Sequence, residues 1–358
     1  MSRLKSLPRP SPDRNLMESI RETGFRVFPE RKINYDKYQS AEPMEFLDYQ
    51  PIMLDIENVS RCNFRCTMCQ VSQWKKRGRA QDMTLDEFKL LLENQTGIIE
   101  VKLQGMGEPF LGESYFEMIK YARSRHLWIR STTNGSLLHV NENYKRIIDA
   151  DICEIQVSVD GATDTTYRSI RKGGNLKRVM KNCRLLNRYA GDNRSRRTRM
   201  WVVVQSTNFD ELEKMPPLAA ELGFNRLTFS LDLNDWGQRK WKAYNDTIDM
   251  HRNFTLNRAH DLISIGHKQG VEVTFWFIDE KYRKHDKNRI CPWPFQRSYI
   301  SSDMRVVPCC MIATPDVYDL GNAHDFGSVW NGKKMIVFRE MHLSGKIPGV
   351  CRSCYIKI

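Results

Sequence analysis

No stretch of this 358-residue chain is long and apolar enough to span a bilayer, which leaves no place for a transmembrane helix. The basic N-terminus also has no continuous apolar run of signal-peptide length, so the expected compartment is the cytoplasm. No nucleic-acid-binding module is recognisable, although the net charge is +13. The basic excess is spread out, with modest concentrations at 75–79 and 194–199. It fits either a solvated surface or a mouth that attracts an acidic or phosphorylated substrate. One further thing is missing: the cysteine run Cys62, Cys66, Cys69 has no fourth member nearby.

Ten cysteines in a large chain of this class argue for metal ligation over a disulfide framework. Arg61-Cys62-Asn63-Phe64-Arg65-Cys66-Thr67-Met68-Cys69 follows a strand-like segment at 51–59, and its C-x3-C-x2-C spacing folds round one face of a metal cluster. A [4Fe–4S] cluster usually takes four cysteines, so three thiolates leave one iron open to a substrate or cofactor. A zinc knuckle or three unpaired core thiols are the rival readings. Cys291, Cys309, Cys351 and Cys354 form a second set, C-x17-C-x41-C-x2-C, able to close the coordination of a [4Fe–4S] cluster or a zinc ion. Cys153 and Cys183 lie in apolar, periodic surroundings and read as inert core residues.

The first run resembles the signature of the radical S-adenosylmethionine (radical SAM) superfamily. The resemblance implies that the open iron holds the amino and carboxylate groups of S-adenosyl-L-methionine. It also implies that an external donor such as flavodoxin or ferredoxin supplies the electron that splits this cofactor. The 5′-deoxyadenosyl radical so formed takes a hydrogen atom from substrate. Met68 stands where many relatives carry an aromatic residue beside the adenine. Gln104-Gly105-Met106-Gly107-Glu108-Pro109 resembles the family's Gly-Gly-Glu motif, with Met106 in place of its first glycine. Gly107 and Glu108 would then hold the aminoacyl end of the cofactor. Thr133 and Asn134 close the third strand, Ser158 matches the ribose-binding stretch, and Arg171 is assigned to the cofactor carboxylate, with Arg168 as competitor. Asn208 is a further polar candidate near the adenosine.

The second set resembles the SPASM/twitch extension in its shorter form, which implies one auxiliary cluster and two [4Fe–4S] clusters in all. Cys310 takes the position at which sulfatase-maturing relatives carry an acidic base. Its thiol can take a proton, return a hydrogen atom to a substrate radical, or serve as a small packed residue. It is the catalytic candidate.

Strand-like segments at 52–59, 99–104, 128–132, 154–159, 200–205 and 226–231 alternate with helical periodicity at 84–94, 115–124, 144–148, 176–189 and 210–222. This pattern predicts parallel βαβ units. The expected α/β fold is a partial (βα)6 TIM-like barrel over 51–280, preceded by an N-terminal arm over 1–50 with a helical patch near 16–23. A small cluster-bearing domain is expected over 281–358, after a further helix at 252–269 and a strand at 271–278. Nothing in residues 1–50 is long enough for the winged-helix peptide-recognition domain of many peptide-modifying relatives. The expectation is therefore an oxidoreductase or epimerase acting on a carbohydrate, aminocyclitol or nucleotide-sugar-like small molecule, neutral or anionic. The alternatives are a maturase of a peptide or protein, and a non-enzymatic metal-binding protein. Asp232, Asn234, Asp235 and Trp236 are substrate-side candidates by position alone.

Overall fold

Along the central strands apolar residues alternate with polar or charged ones, and this period of two gives the sheet an apolar outer face and a polar inner one. A computed structural model describes residues 4, 6–74, 78–277, 282–284 and 286–355, the side chains of 192, 193, 195 and 287 excepted. Ten strands form one sheet among them. They are β1 Met53–Ile56, β2 Glu100–Leu103, β3 Trp128–Thr133, β4 Glu154–Ser158, β5 Thr198–Val203, β6 Arg226–Ser230, β7 Glu272–Trp276, β8 Arg297–Ile300, β9 Arg305–Val307 and β10 Gly321–Asn322. Their order is β10-β9-β8-β1-β2-β3-β4-β5-β6-β7, and every pairing from β8 to β7 is parallel. All six expected barrel strands are present, and β7 adds a seventh parallel strand.

The helices are α1 Arg14–Val27, α2 Pro29–Ser40, α3 Leu85–Asn94, α4 Tyr115–Ser124, α5 Asn143–Asp149, α6 Asp164–Ile170, α7 Leu176–Arg194, α8 Met215–Glu221, α9 Arg239–Ile248, α10 Leu256–Lys268, α11 Trp293–Gln296, α12 Phe326–Trp330 and α13 Lys333–Leu343. The single helix expected at 210–222 is instead a 3-10 segment, Ser206–Lys214, followed by α8. Pro216 and Pro217 lack an N–H and fit only the first turn of a helix, so α8 must start beside them. The helical patch near 16–23 extends to α1, whose N-cap Asp13 accepts from the Leu16 N–H. Among the described residues no helix is long and apolar enough to cross a membrane.

Outward-facing Ile129, Ile155, Val157, Met200, Val202, Leu227 and Phe229 are fully buried. The lumen face carries Lys102, Arg130, Glu154, Gln156, Arg199, Arg226, Thr228 and Thr274, in register on successive strands. Arg130 meets Glu100 at 2.6 Å, while Glu154 is shared by Arg226 at 2.9 Å and Arg199 at 3.4 Å. Closed barrels of this type fill their interior with branched aliphatics. Here the interior keeps polar groups.

The C-terminal segment is tied to the barrel in two places. β8 adds to the free side of β1, with Tyr299 opposite Asp55. Residues 45–49 of the arm dock onto α11–α13: Trp330 Nε1 donates to the Tyr49 carbonyl at 2.7 Å, and Arg339 donates to the carbonyls of Pro294 and Glu45 at 2.9 and 3.1 Å. The expected boundary at 280/281 falls outside the described residues, as do Lys75, Lys76 and Arg77 of the expected basic loop.

Candidate functional site

The loop from Cys62 to Cys69 is held from both sides by backbone. Arg65 and Thr67 donate to the carbonyls of Lys172 and Ile170 at 2.8 and 2.9 Å, which brings the segment carrying Arg171 against the cysteines. On the other side Glu108 N–H donates to the Arg61 carbonyl at 2.9 Å. That approach requires glycine at 107, because a Cβ there would lie 2.3 Å from the Val59 oxygen and 2.5 Å from the Arg61 oxygen. We expect Gly107→Ala to displace the cysteine loop and to cost roughly 1–3 kcal/mol. Iron bound after anaerobic reconstitution should then fall towards about one cluster per chain. Unchanged iron content would contradict this placement.

Around the loop the expected side chains converge. Arg171 is buried, pairs with Asp160 at 2.7 Å and points Nη1 to within 3.9 Å of Cys66 Sγ. Arg168, the competing residue, is exposed on α6 and pairs with Asp164. Glu108 is buried, and its two oxygens accept from Thr133 Oγ1 at 2.5 Å and from the Asn134 N–H at 2.8 Å. Burial pushes its carboxyl up to about 7, against the lowering effect of those hydrogen bonds. Asn134 Nδ2 lies 3.9 Å from Cys62 Sγ and donates to Asn63 Oδ1 at 2.9 Å. Ser158 ends β4 on the lumen face, opposite Trp201, and Met68 sits half-buried in the cysteine loop. Asn208 takes a supporting position: its amide donates to the carbonyls of Asp160 and Val203, both at 2.9 Å, and accepts from Gln205 N–H. It orders the turn behind Asp160.

Burial pushes the Cys62 thiol up to about 12, with Glu108 adding to the effect, and raises Cys66 and Cys69 as well. Three half-buried thiols set close together beside a guanidinium suit a group that takes thiolates and carries negative charge. No three His, Cys, Asp or Glu side chains among the described residues converge as around a single ion. A cluster does not require that, since each thiolate bonds a different iron. The residues fit a three-cysteine [4Fe–4S] cluster. Glu108, braced by Thr133 and Asn134, is a carboxylate placed for an ammonium group.

The second set also assembles. Burial raises the thiols of Cys291, Cys309 and Cys351, and Cys354 lies close enough to add to the effect on all three. Tyr355 Oη accepts from the Cys291 N–H at 3.0 Å and lies 2.6 Å from His342 Nδ1. Ser353 donates to Asp235, and a Cβ on Gly237 would meet Val350 at 3.1 Å, so the segment after β6 grips the Cys351–Cys354 loop. Between the two sets lies a small apolar layer of Val71, Met106, Tyr299, Val307, Ile312 and Ala313, with Cys62, Cys69, Cys309, Cys310 and Trp236 packed on it. Trp236 holds φ at +55°, a left-handed backbone that costs a non-glycine residue about 1–3 kcal/mol.

The Radical SAM superfamily profile matches residues 58–216, and the SPASM iron–sulfur cluster-binding domain matches 291–355. The chain belongs to the radical SAM superfamily, in its SPASM subgroup. Its cofactors are S-adenosyl-L-methionine and [4Fe–4S] clusters, and it is a radical SAM enzyme. It is 25% identical over 204 residues to the mycofactocin maturase MftC of Mycolicibacterium smegmatis, covering 56% of this chain and 50% of that one. The chain thus matches about half the length of that relative. It is 22% identical over 315 residues to the PqqA peptide cyclase of Bradyrhizobium diazoefficiens, covering 85% and 78% of the two chains. The fold is similar to that of Streptococcus suis SuiB bound to precursor peptide SuiA, with a TM-score of 0.61, 14% identity and coverage of 86% and 69%. It is similar also to BtrN in complex with AdoMet and 2-DOIA, with a TM-score of 0.52, 15% identity and coverage of 86% and 93%.

Asp160 and Glu57 were not among the expected site residues. Asp160 neutralises Arg171, and Glu57 accepts from the N–H groups of Met106 and Ser302 at 2.9 and 3.1 Å, joining the Gly107 loop to the turn after β8. A carboxylate in Val159-Asp160-Gly161, eleven residues before Arg171, was the available signal for the first. No local signal pointed to the second.

Proposed function

We propose that this radical SAM enzyme modifies a peptide or protein. The likeness to the PqqA peptide cyclase carries this reading, since it runs over 85% of the chain rather than over one motif. When bound, the first cluster and S-adenosyl-L-methionine supply a hydrogen-abstracting radical. The chain's own residues orient and shield it: Glu108 and Arg171 bind the aminoacyl end, and the apolar layer around Met106 excludes water. The four cysteines of the second set hold a cluster suited to electron transfer. Copurification with a small peptide, and release of 5′-deoxyadenosine that rises about tenfold or more on adding it, is the supporting result. Release coupled to a carbohydrate and to no peptide would overturn it.

A second reading, a small polar or anionic substrate, draws on the lumen wall. Lys102 is flanked in register by Asp55 and Arg130, while Asp55 Oδ2 and Gln104 Oε1 are buried without hydrogen-bond partners among the described residues. Such groups suit a polyhydroxylated ligand.

Cys310 faces this same wall. Burial pushes its thiol up to about 11, within reach of the charges of Lys102, Asp55, Arg297 and Arg130. A thiol protonated at neutral pH can hand a hydrogen atom to a substrate radical, itself becoming a thiyl radical that an external electron donor and a solvent proton restore. Cys310→Ala should leave an oxidative product intact and abolish an epimerised one. Solvent deuterium in an unoxidised product, read by mass spectrometry, identifies the second outcome.

A further inference from the structure

Among the described residues β7 is the edge strand of the sheet on the barrel side. In a parallel sheet, alternate residues direct their backbone groups to alternate neighbours. Glu272 N–H donates to the Asn225 carbonyl and the Trp276 carbonyl accepts from Leu231, so the groups of Val273, Phe275 and Phe277 face away from β6. An edge of this kind is a template for another extended chain.

In this structure the chain's own N-terminal segment takes that place. Phe275 N–H donates to the Pro8 carbonyl at 2.8 Å, and Arg9 Nη1 donates to the Phe277 carbonyl at 2.5 Å. The Arg9 guanidinium lies 3.5 Å over the Phe277 ring, and Leu4 and Leu7 are buried. Farther along, the Ser11 carbonyl accepts from Arg226 and, at 2.8 Å, from Arg199, which pins the segment to the amino ends of β5 and β6. The segment is a poor strand. Pro8, Pro10 and Pro12 have no N–H to give, so at these three positions the segment returns no backbone donor to the edge.

We propose that the edge of β7 is a docking site for an extended, proline-free peptide, held in cis by residues 4 and 6–9 until such a peptide displaces them. A peptide with an N–H at every residue can complete the ladder that the proline-rich segment leaves partial. Ser11 is the hinge, because its two arginine donors are buried and independent of the edge. Trp276, at the carboxyl end of β7, is 45% exposed. This inference rests on the peptide-modifying reading and names the surface by which that substrate is held.

Hydrogen–deuterium exchange over 272–277 in the reconstituted full chain tests it, with a ten-residue peptide of alternating threonine and valine as the probe. The wild type should protect the Phe275 amide. Leu4→Asp combined with Leu7→Asp should speed its exchange by about tenfold or more, and the probe should restore protection. Arg9→Ala, which leaves both buried leucines in place, is the milder variant, and there the probe should bind more tightly than to the wild type. Unchanged exchange in both variants, or a probe that protects only other segments, would overturn the proposal. If a peptide is found that stimulates 5′-deoxyadenosine release without altering exchange at Phe275, the docking edge falls while the peptide reading stands. If the probe restores protection but only small molecules are turned over, the reverse holds.

Discussion

Cys66→Ala is expected to leave the chain with about four irons instead of about eight after anaerobic reconstitution, and to reduce 5′-deoxyadenosine release at least about a hundredfold. Its thiol is the one nearest Arg171, and the loop around it is fastened by backbone bonds to residues 170 and 172. Loss of this ligand removes one corner of a cluster that has only three protein thiolates to begin with. Removing a second-sphere partner of a metal typically costs 10–100-fold, so a ligand should cost more. Cys183→Ala is the control. That thiol is fully buried on the core-facing side of α7 and belongs to neither cysteine set, so its loss should leave the iron count unchanged. Iron and cofactor cleavage that survive in Cys66→Ala would remove the basis for the site.

Asp160→Asn should produce the largest loss of stability, about 3–5 kcal/mol by urea denaturation. Asp160 and Arg171 are both buried, 2.7 Å apart, and Asp160 also accepts from Val203 N–H at 2.8 Å. The amide keeps the shape but leaves a guanidinium in the interior without its counter-charge. Converting both partners, Asp160→Asn with Arg171→Met, should recover most of the stability, because the cost lies in the unpaired charge rather than in the missing attraction. The double variant should still fail to cleave S-adenosyl-L-methionine, since Arg171 is also the cation beside Cys66. Recovery of both stability and cleavage would show that Arg171 has no part in the site.

Much of the cofactor site was legible because it is built from short local runs. The spacing of Cys62, Cys66 and Cys69, the Gly107-Glu108 turn and the Thr133-Asn134 strand end each lie within a few residues, and each strand end points the same way in a parallel sheet. The choice between Arg168 and Arg171 was not legible. Both lie in one helical stretch, and only the pairing of the cysteine loop with residues 170 and 172 brings the second inward. Asn208 looked like a ligand for adenosine because it is a polar residue after a strand, yet its amide is taken up by three backbone groups. The small-molecule expectation leaned on the short N-terminal region, whereas the proposal of a peptide substrate leans on sequence likeness over most of the chain.

The primary structure by itself determined the chemistry class and the parallel α/β barrel, because cysteine spacing and hydrophobic periodicity are properties of neighbours along the chain. Only the tertiary structure decided that β8 joins β1, that Glu57 and Asp160 brace the cofactor loops, and that the N-terminal segment lies on β7. Those contacts join residues from 11 to 268 positions apart. Backbone hydrogen bonds and buried charges have to find partners wherever the fold supplies them, and no periodicity along the chain records which partner that will be.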